Sequence, residues 1–528
     1  MTSRISLLLF AVFALSLLGT LGARPLYKAD ESRYAEIPRE MAASGDWITP
    51  RLNDFKYFEK PPLQYWATAA FFKLFGEQDW AARLWTALTA IAGVVLVFFA
   101  GRRLFSPEAG ALGAAVLAGC PLYVMLGQIN TLDMGLSFFL SAAIFAFALQ
   151  RFYLFWAACA LAMLSKGLIG IVLPMGAIGL YVLIRRDWQL IRNMKLISGS
   201  LLFLAIAAPW FVAVSIANEE FAHFFFVQEH FQRFTTRMHG RYQPVWFFLP
   251  ILAFGLAPWL LPFLSGFRDF FKQERADKLD SHLFLVLWIA VVFVFFSISG
   301  SKLPSYILPL FPALALLIGR RLAEARPRRL LVAQAALAGA AGIALVVFSS
   351  SVQGFLGREM LNLSGLYVPW LAAAGVLLAA ASIAGGVAAW RGAIPASVAL
   401  LAIGGFACTL AALAGHHVLS PGYSIASQAA GFAGNAPVFA VDFYDHTLPW
   451  YARRPVTMVR YKDELEEAIK WEPQKFVADL PGFARAWQAA PAAYAVFSSS
   501  SFENLKKETN APMEIVSRGP RYIIVRKP

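Results

Sequence analysis

The sequence of 528 residues predicts an α-helical polytopic membrane protein with a small C-terminal α/β domain, and three observations predict it. Hydrophobic residues make up 59% of the chain and charged residues only 15%, too little polar surface for a soluble protein of this size. Apolar runs close to the ~20 residues that cross a bilayer recur along the first 414 residues. From about 415 to 528 the runs shorten, alternate and mix with charge, as in a soluble mixed unit.

The apolar runs number about thirteen, at roughly 5–22, 80–100, 110–126, 131–149, 152–165, 168–184, 197–216, 246–264, 282–298, 304–320, 330–349, 367–389 and 395–414. The first, Ile5 to Leu21 after Arg4, resembles a secretory signal, yet it runs straight into charged sequence and many similar segments follow, so it reads as an uncleaved span. With the N-terminus inside, the loops carrying Arg102 and Arg103, Arg185 to Lys195, Arg268 to Lys278 and Arg320 to Arg329 all become cytoplasmic, as positive-inside bias requires. An odd number of spans then leaves 415–528 outside, following a membrane unit of 1–414 that includes an external loop over 23–62. In the outer unit Val438 to Tyr444 and Tyr522 to Arg526 read as strands and Lys462 to Lys470 as a helix.

The net charge of +14 follows from that loop bias and from attraction to phosphorylated lipid, and it argues against nucleic acid as a partner. Cys120, Cys159 and Cys408 all fall in apolar runs without metal-ligand spacing, so they read as small core residues with no disulfide framework.

One external loop breaks the charge rule. Between Arg24 and Lys60 it carries Arg24, Lys28, Arg33, Arg39, Arg51, Lys56 and Lys60. Either these cations meet an anionic head group, or several pair with the loop's own Asp30, Glu31, Glu36, Glu40, Asp46, Asp54 and Glu59; the head group is the favoured reading. Asp30, Arg33, Tyr34 and Ile37 share one face of a short interfacial helix. Asp30 serves there as an N-cap, or as a surface carboxylate acting as general base or charge stabiliser. Tyr57-Phe58-Glu59-Lys60 precedes Pro61 and Pro62, which redirect the chain and hold Lys60 at head-group level, to meet a phosphate or to snorkel. Asp133 lies beside hydrocarbon at a helix start, as a cap or to position a loop or substrate. Aromatics and cations interleave from Phe226 through Arg233, Arg237 and Arg241 to Trp246, which suits contact with a ligand phosphate or with anionic lipid in general. Lys302, between Ser301 and Pro304, reads as a further phosphate ligand or an interfacial anchor. Glu59, His230, His239 and His446 are of metal-ligating type but have no compact spacing.

Taken in order, Asp30 to Met41, Tyr57 to Leu63, Thr131 to Met134, Glu229 to Phe234 and Ser301 to Tyr306 resemble the bacterial aminoarabinose transferases of the protein O-mannosyltransferase-related, C-type glycosyltransferase superfamily. The resemblance runs from the first span through the tenth and continues more loosely into the C-terminal unit. It implies the C-type architecture and a multi-pass protein of the bacterial inner membrane with its C-terminal domain in the periplasm. The implied activity is inverting transfer of 4-amino-4-deoxy-L-arabinose from undecaprenyl phosphate to a lipid A phosphate, the lipopolysaccharide modification associated with polymyxin resistance. It also implies that Asp30 is the catalytic carboxylate and Asp133 its supporting acid. Arg33, Lys60, Lys302 and an arginine among Arg233 and Arg241 would hold the carrier phosphate, with Tyr57 and Tyr306 beside it. The chemistry requires no cofactor, while Glu59 and His230 fall where the resemblance implies a divalent metal such as zinc, with His446 a third candidate ligand by residue type alone. His446 stands where many relatives carry a neutral amide.

Two rival functions stay open. A transferase of the same class could use protein hydroxyls or another glycan as acceptor. A lipid-linked transporter would also need apolar spans and basic outer loops, but ionisable residues here cluster in outer loops and are scarce within the spans.

Overall fold

A computed structural model describes residues 3–232, 242–266, 279–355, 360–432 and 434–528. Each of the thirteen apolar runs is met by a helix or a bent pair of helices. Among the described residues seven are long and apolar enough to cross a membrane, the first being Asp79–Leu104 and the last Ile394–Gly422. Two more are pairs broken by a bend, Pro107–Ala118 with Pro121–Gly127 at 67° and Val245–Gly255 with Ala257–Gly266 at 76°. Both breaks sit at proline: Pro121 and Pro258 each open a new helical turn, where the missing N–H has no bond to lose. The other four, Ser6–Gly19, Leu132–Ala148, Phe152–Lys166 and Ile169–Arg185, are shorter.

Glycine governs one close approach within the bundle. At Gly101, Gly110, Gly113 and Gly319 the helices Asp79–Leu104, Pro107–Ala118 and Phe311–Ala325 come so near that any Cβ would meet backbone of a facing helix. In lipid no hydrophobic force drives helices together, so backbone contact through small residues supplies the packing. Cys120, Cys159 and Cys408 are free thiols, the first two buried.

Beyond the last span the chain forms a six-stranded sheet. Its order is Phe476–Val477, Thr457–Val459, Val438–Val441, Tyr494–Ser498, Tyr522–Arg526 and Glu514–Arg518, with the first four mutually parallel and the last two antiparallel. The strand expected at 522–526 has those bounds, the one expected over 438–444 stops at Val441, and the expected helix begins as a turn and continues as Glu466–Trp471.

The first loop carries the helix Asp30–Ser44 and a small hairpin pairing Arg51–Leu52 with Phe55–Lys56. An interfacial helix would leave its polar face wet, yet every position of this one from Glu31 to Met41 is buried. The cover is the C-terminal unit: Tyr34, Ile37, Met41, Leu52 and Phe55 share one hydrophobic core with Val438, Ala440, Leu448, Met458 and Ile524. Asn53 fastens the seam by exchanging hydrogen bonds with the backbone of Val456, 2.8 Å to its carbonyl and 2.7 Å from its N–H.

Candidate active site at the junction of the first loop and the C-terminal sheet

The helix Asp30–Ser44 starts with two acids, Asp30 and Glu31, at the end where unsatisfied N–H groups favour negative charge. Ala29 occupies the cap position and no side chain caps the helix, so Asp30 does not serve as the N-cap. The helix ends at Gly45, whose φ of 76° lets its N–H turn back to the Met41 carbonyl at 3.0 Å.

Glu31 anchors the helix to the spans. Its carboxylate accepts from Arg24, from Arg83 at 2.9 Å and from the Asn130 N–H at 3.1 Å. Burial pushes this carboxyl up, but the Arg24 and Arg83 guanidiniums outweigh it and hold it well below the ordinary range.

With its neighbour so fixed, Asp30 stands at the end of a chain of charged contacts. Arg33 Nη1 donates to Asp30 Oδ1 at 2.7 Å, one turn away. The same guanidinium reaches Glu464 of the C-terminal unit, Nε to Oε1 at 2.9 Å and Nη2 to Oε2 at 2.5 Å. Glu464 Oε1 also lies 2.5 Å from His446 Nε2. Burial raises the Glu464 carboxyl, and Arg33 and His446 together overcome that and bring it down to about 2. Arg33, Glu464 and His446 are all largely shielded, whereas the Asp30 side chain is 42% exposed. The carboxylate at the end of the chain is the one left accessible.

Around this chain stand Tyr34, Tyr57 and Tyr65. Burial, then the charge of Asp30, lifts the Tyr34 phenol far up; burial, then Glu59, does the same to Tyr57. The Tyr57 and Tyr65 hydroxyls are buried and, among the described residues, have no hydrogen-bond partner. Beside them Lys60 Nζ donates to the Glu59 carbonyl at 2.7 Å and to Glu229 at 3.1 Å. Burial and the neighbouring Glu229 raise the Glu59 carboxyl against the pull of Lys60.

Asp133 lies in the first turn of Leu132–Ala148, capped by neither its own side chain nor that of Thr131. It is ion-paired with Lys166, whose ammonium rests 4.8 Å over the ring of Tyr306. Lys302 gives two donors to backbone carbonyls, Ser299 at 2.6 Å and Gln243 at 2.9 Å, and faces the Tyr242 ring at 5.8 Å. Arg233, Arg241 and the side chain of His230 lie outside the described residues.

The structure therefore brings Asp30, Arg33, Tyr57, Glu59, Lys60 and His446 into one neighbourhood, with Asp133 and Tyr306 joined to it through Lys166. It also decides the fate of the loop's cations against the favoured reading for most of them. Arg24 pairs with Glu31, Arg39 with Glu36 at 2.5 Å, Arg51 with Glu472 at 3.1 Å, and Lys56 with Glu220 at 2.5 Å. Buried cations are stable only beside such partners. Glu464, Glu229 and Lys166 were missed from the sequence: Glu464 sits in an ordinary charged helix pattern, Glu229 between aromatics, and Lys166 at a helix end where a snorkelling lysine is unremarkable.

His446 Nε2 is engaged by Glu464, itself bound to Arg33, and among the described residues no group of three His, Cys, Asp or Glu side chains is arranged to hold an ion. We derive no chemical step through a metal.

Comparison with known proteins reaches the C-terminal unit and, separately, the spans that follow the first loop. Residues 425–527 match the family described as the aminoarabinose transferase C-terminal domain, and residues 59–212 match dolichyl-phosphate-mannose-protein mannosyltransferase. Undecaprenyl phosphate-α-4-amino-4-deoxy-L-arabinose arabinosyl transferase of Erwinia tasmaniensis is 33% identical over 331 residues, covering 60% of this chain and 59% of its own. Arabinosyl transferase 1 of Proteus mirabilis is 34% identical over 342 residues, covering 62% and 61%. These alignments thus span about three fifths of the curated relatives' length. The crystal structure of ArnT from Cupriavidus metallidurans bound to undecaprenyl phosphate superposes with a TM-score of 0.93 at 34% identity, covering 100% of this chain and 98% of that one. Its apo state gives 0.90 at 35% identity. With a structure 34% identical superposed over the whole of this chain, the chain belongs to the aminoarabinose transferase family.

Proposed function

We propose that this chain is an inverting glycosyltransferase that moves 4-amino-4-deoxy-L-arabinose from undecaprenyl phosphate to a lipid A phosphate at the periplasmic face of the bacterial inner membrane. The observation that carries the reading is the accessible Asp30 carboxylate, ion-paired to Arg33 and acting electrostatically on the neighbouring Tyr34 and Lys166. The names of the similar arabinosyl transferases supply sugar and carrier, and the Cupriavidus protein was crystallised with undecaprenyl phosphate.

In the reaction, an acceptor oxygen attacks the anomeric carbon opposite the carrier. The new C–O bond forms as the bond to the carrier phosphate breaks, and undecaprenyl phosphate leaves with the electron pair. Cations where charge grows on that phosphate lower the barrier. Lys60, Arg233, Arg241 and Lys302 have this role, with Arg33 at the edge and Tyr57 and Tyr306 beside the phosphate. An acceptor phosphate is already ionised at neutral pH and gives up no proton, so Asp30 stabilises positive charge on the sugar or meets its amino group, while Asp133, through Lys166, shapes the site. With a hydroxyl acceptor the proton passes to Asp30 instead.

Transfer of sugar from the undecaprenyl-linked donor to lipid A by purified protein in liposomes, set against Asp30→Asn, tests this. Transfer lost in the variant supports it, and donor turnover only with a protein hydroxyl acceptor moves the chain to the second reading, which the mannosyltransferase match over 59–212 favours. An N-terminus in the cytoplasm and the first loop outside belong to the same proposal and are read by labelling single cysteines from each side. Zinc held by Glu59, His230 and His446 is a separate proposal, tested by metal content of wild type against His446→Ala.

A further inference from the structure

We propose that Glu464 is a positioning residue: from the C-terminal domain it fixes the Arg33 guanidinium, and through Arg33 it orients the Asp30 carboxylate for the transfer reaction. The inference rests on the proposed reaction and concerns a residue some 430 positions from the group it serves.

Three features carry it. Arg33 meets Glu464 with two parallel donors, Nε at 2.9 Å and Nη2 at 2.5 Å, the fork geometry that fixes a guanidinium plane as well as its position. The remaining terminal nitrogen, Nη1, is then aimed at Asp30 at 2.7 Å. Glu464 Oε1, the oxygen that accepts from Arg33 Nε, also lies 2.5 Å from His446 Nε2, so the anchor cannot swing with Arg33.

The arrangement separates this acid from the others that dock the domain. Glu472 also joins the C-terminal unit to the first loop, at Arg51 and the Lys56 N–H (3.1 and 3.0 Å), but among the described residues it makes no hydrogen bond or ion pair with Arg33 or Asp30. Docking alone predicts that the two acids matter alike. Positioning predicts that only Glu464 acts on the chemical step, since a reacting group misplaced by about 1 Å costs about a hundredfold in rate.

The experiment measures kcat for sugar transfer, and separately the affinity for undecaprenyl phosphate, in full-length wild type, Glu464→Gln, Glu464→Asp and Glu472→Gln in liposomes. The Gln variant presents an NH2 group to the guanidinium fork; the Asp variant keeps the charge but withdraws it by one methylene, and it serves if the Gln variant does not fold. We expect kcat to fall about a hundredfold in Glu464→Gln, with a smaller fall in Glu464→Asp, unchanged affinity for undecaprenyl phosphate in both, and near wild-type kcat in Glu472→Gln. Equal losses in Glu464→Gln and Glu472→Gln would reduce Glu464 to a docking contact and overturn the inference. A loss of undecaprenyl phosphate affinity that accounts for the fall in rate would overturn it too, because Arg33 would then act only as a phosphate ligand. Wild type inert toward every donor and acceptor would instead remove the reaction itself.

Discussion

Asp30 and Glu31 are adjacent carboxylates with opposite fates, and the contrast sets what substitution should do. Asp30 has one guanidinium partner and open space, so Asp30→Asn keeps the shape and most of the hydrogen bonding. Transfer should fall by about a thousandfold or more, on the scale of losing a principal electrostatic group, while undecaprenyl phosphate still binds in a direct binding assay. Glu31 has no open face. Glu31→Ala would strand Arg24 and Arg83 in the interior, and removal of one partner from a buried pair costs about 3–5 kcal/mol, visible as a large drop in the midpoint of thermal unfolding. The same site gives a pH dependence. Because the folded Glu31 carboxyl lies below its unfolded value of about 4.3, its stabilisation is fully present above that value and fades as the pH falls beneath it. The unfolding midpoint should therefore hold level through neutral pH and drop in acid, with a shallower acid slope in Glu31→Gln. At this scale the sequence was half legible. Asp30, Arg33, Lys60 and Asp133 stand out because charge beside hydrocarbon demands a reason; Arg33 answers Asp30 one turn away, but the other three draw a partner from a distant segment, Glu464 for Arg33, Glu229 for Lys60 and Lys166 for Asp133. No local spacing announces such partners.

Among elements, the helix Asp30–Ser44 shows where pattern reading stops. Its polar composition and one-face spacing are those of a helix on a membrane surface, and a helix forms there, yet its polar face is enclosed by a domain the pattern could not foresee. The long spans were legible from length and apolarity alone. The bends at Pro121 and Pro258 follow from the missing N–H, though their angles depend on the neighbours. Gly45 closes the catalytic helix in a left-handed conformation with nothing near the place of a Cβ, so Gly45→Ala meets strain without a clash. It should cost about 1 kcal/mol, read from the thermal unfolding midpoint, with donor affinity unchanged.

For the whole molecule, the seam between first loop and C-terminal sheet matters most. Hydrophobic core, the Asn53 exchange with Val456, and the Arg33–Glu464 and Arg51–Glu472 pairs all lie along it. Asn53→Ala leaves a buried Val456 N–H and carbonyl unpaired, at about 1–3 kcal/mol each; limited proteolysis of the seam should accelerate while the membrane bundle stays intact. The sequence revealed both units as separate kinds of chain, and it was silent on their union because the residues that meet lie hundreds of positions apart. That separation carries a consequence for biosynthesis. A ribosome delivers the Asp30 helix some 430 residues before Glu464, so the first loop emerges long before its cover. A nascent chain stalled in the last spans already holds Asp30 and Arg33 but not the Glu464 carboxylate that fixes the guanidinium from its other side.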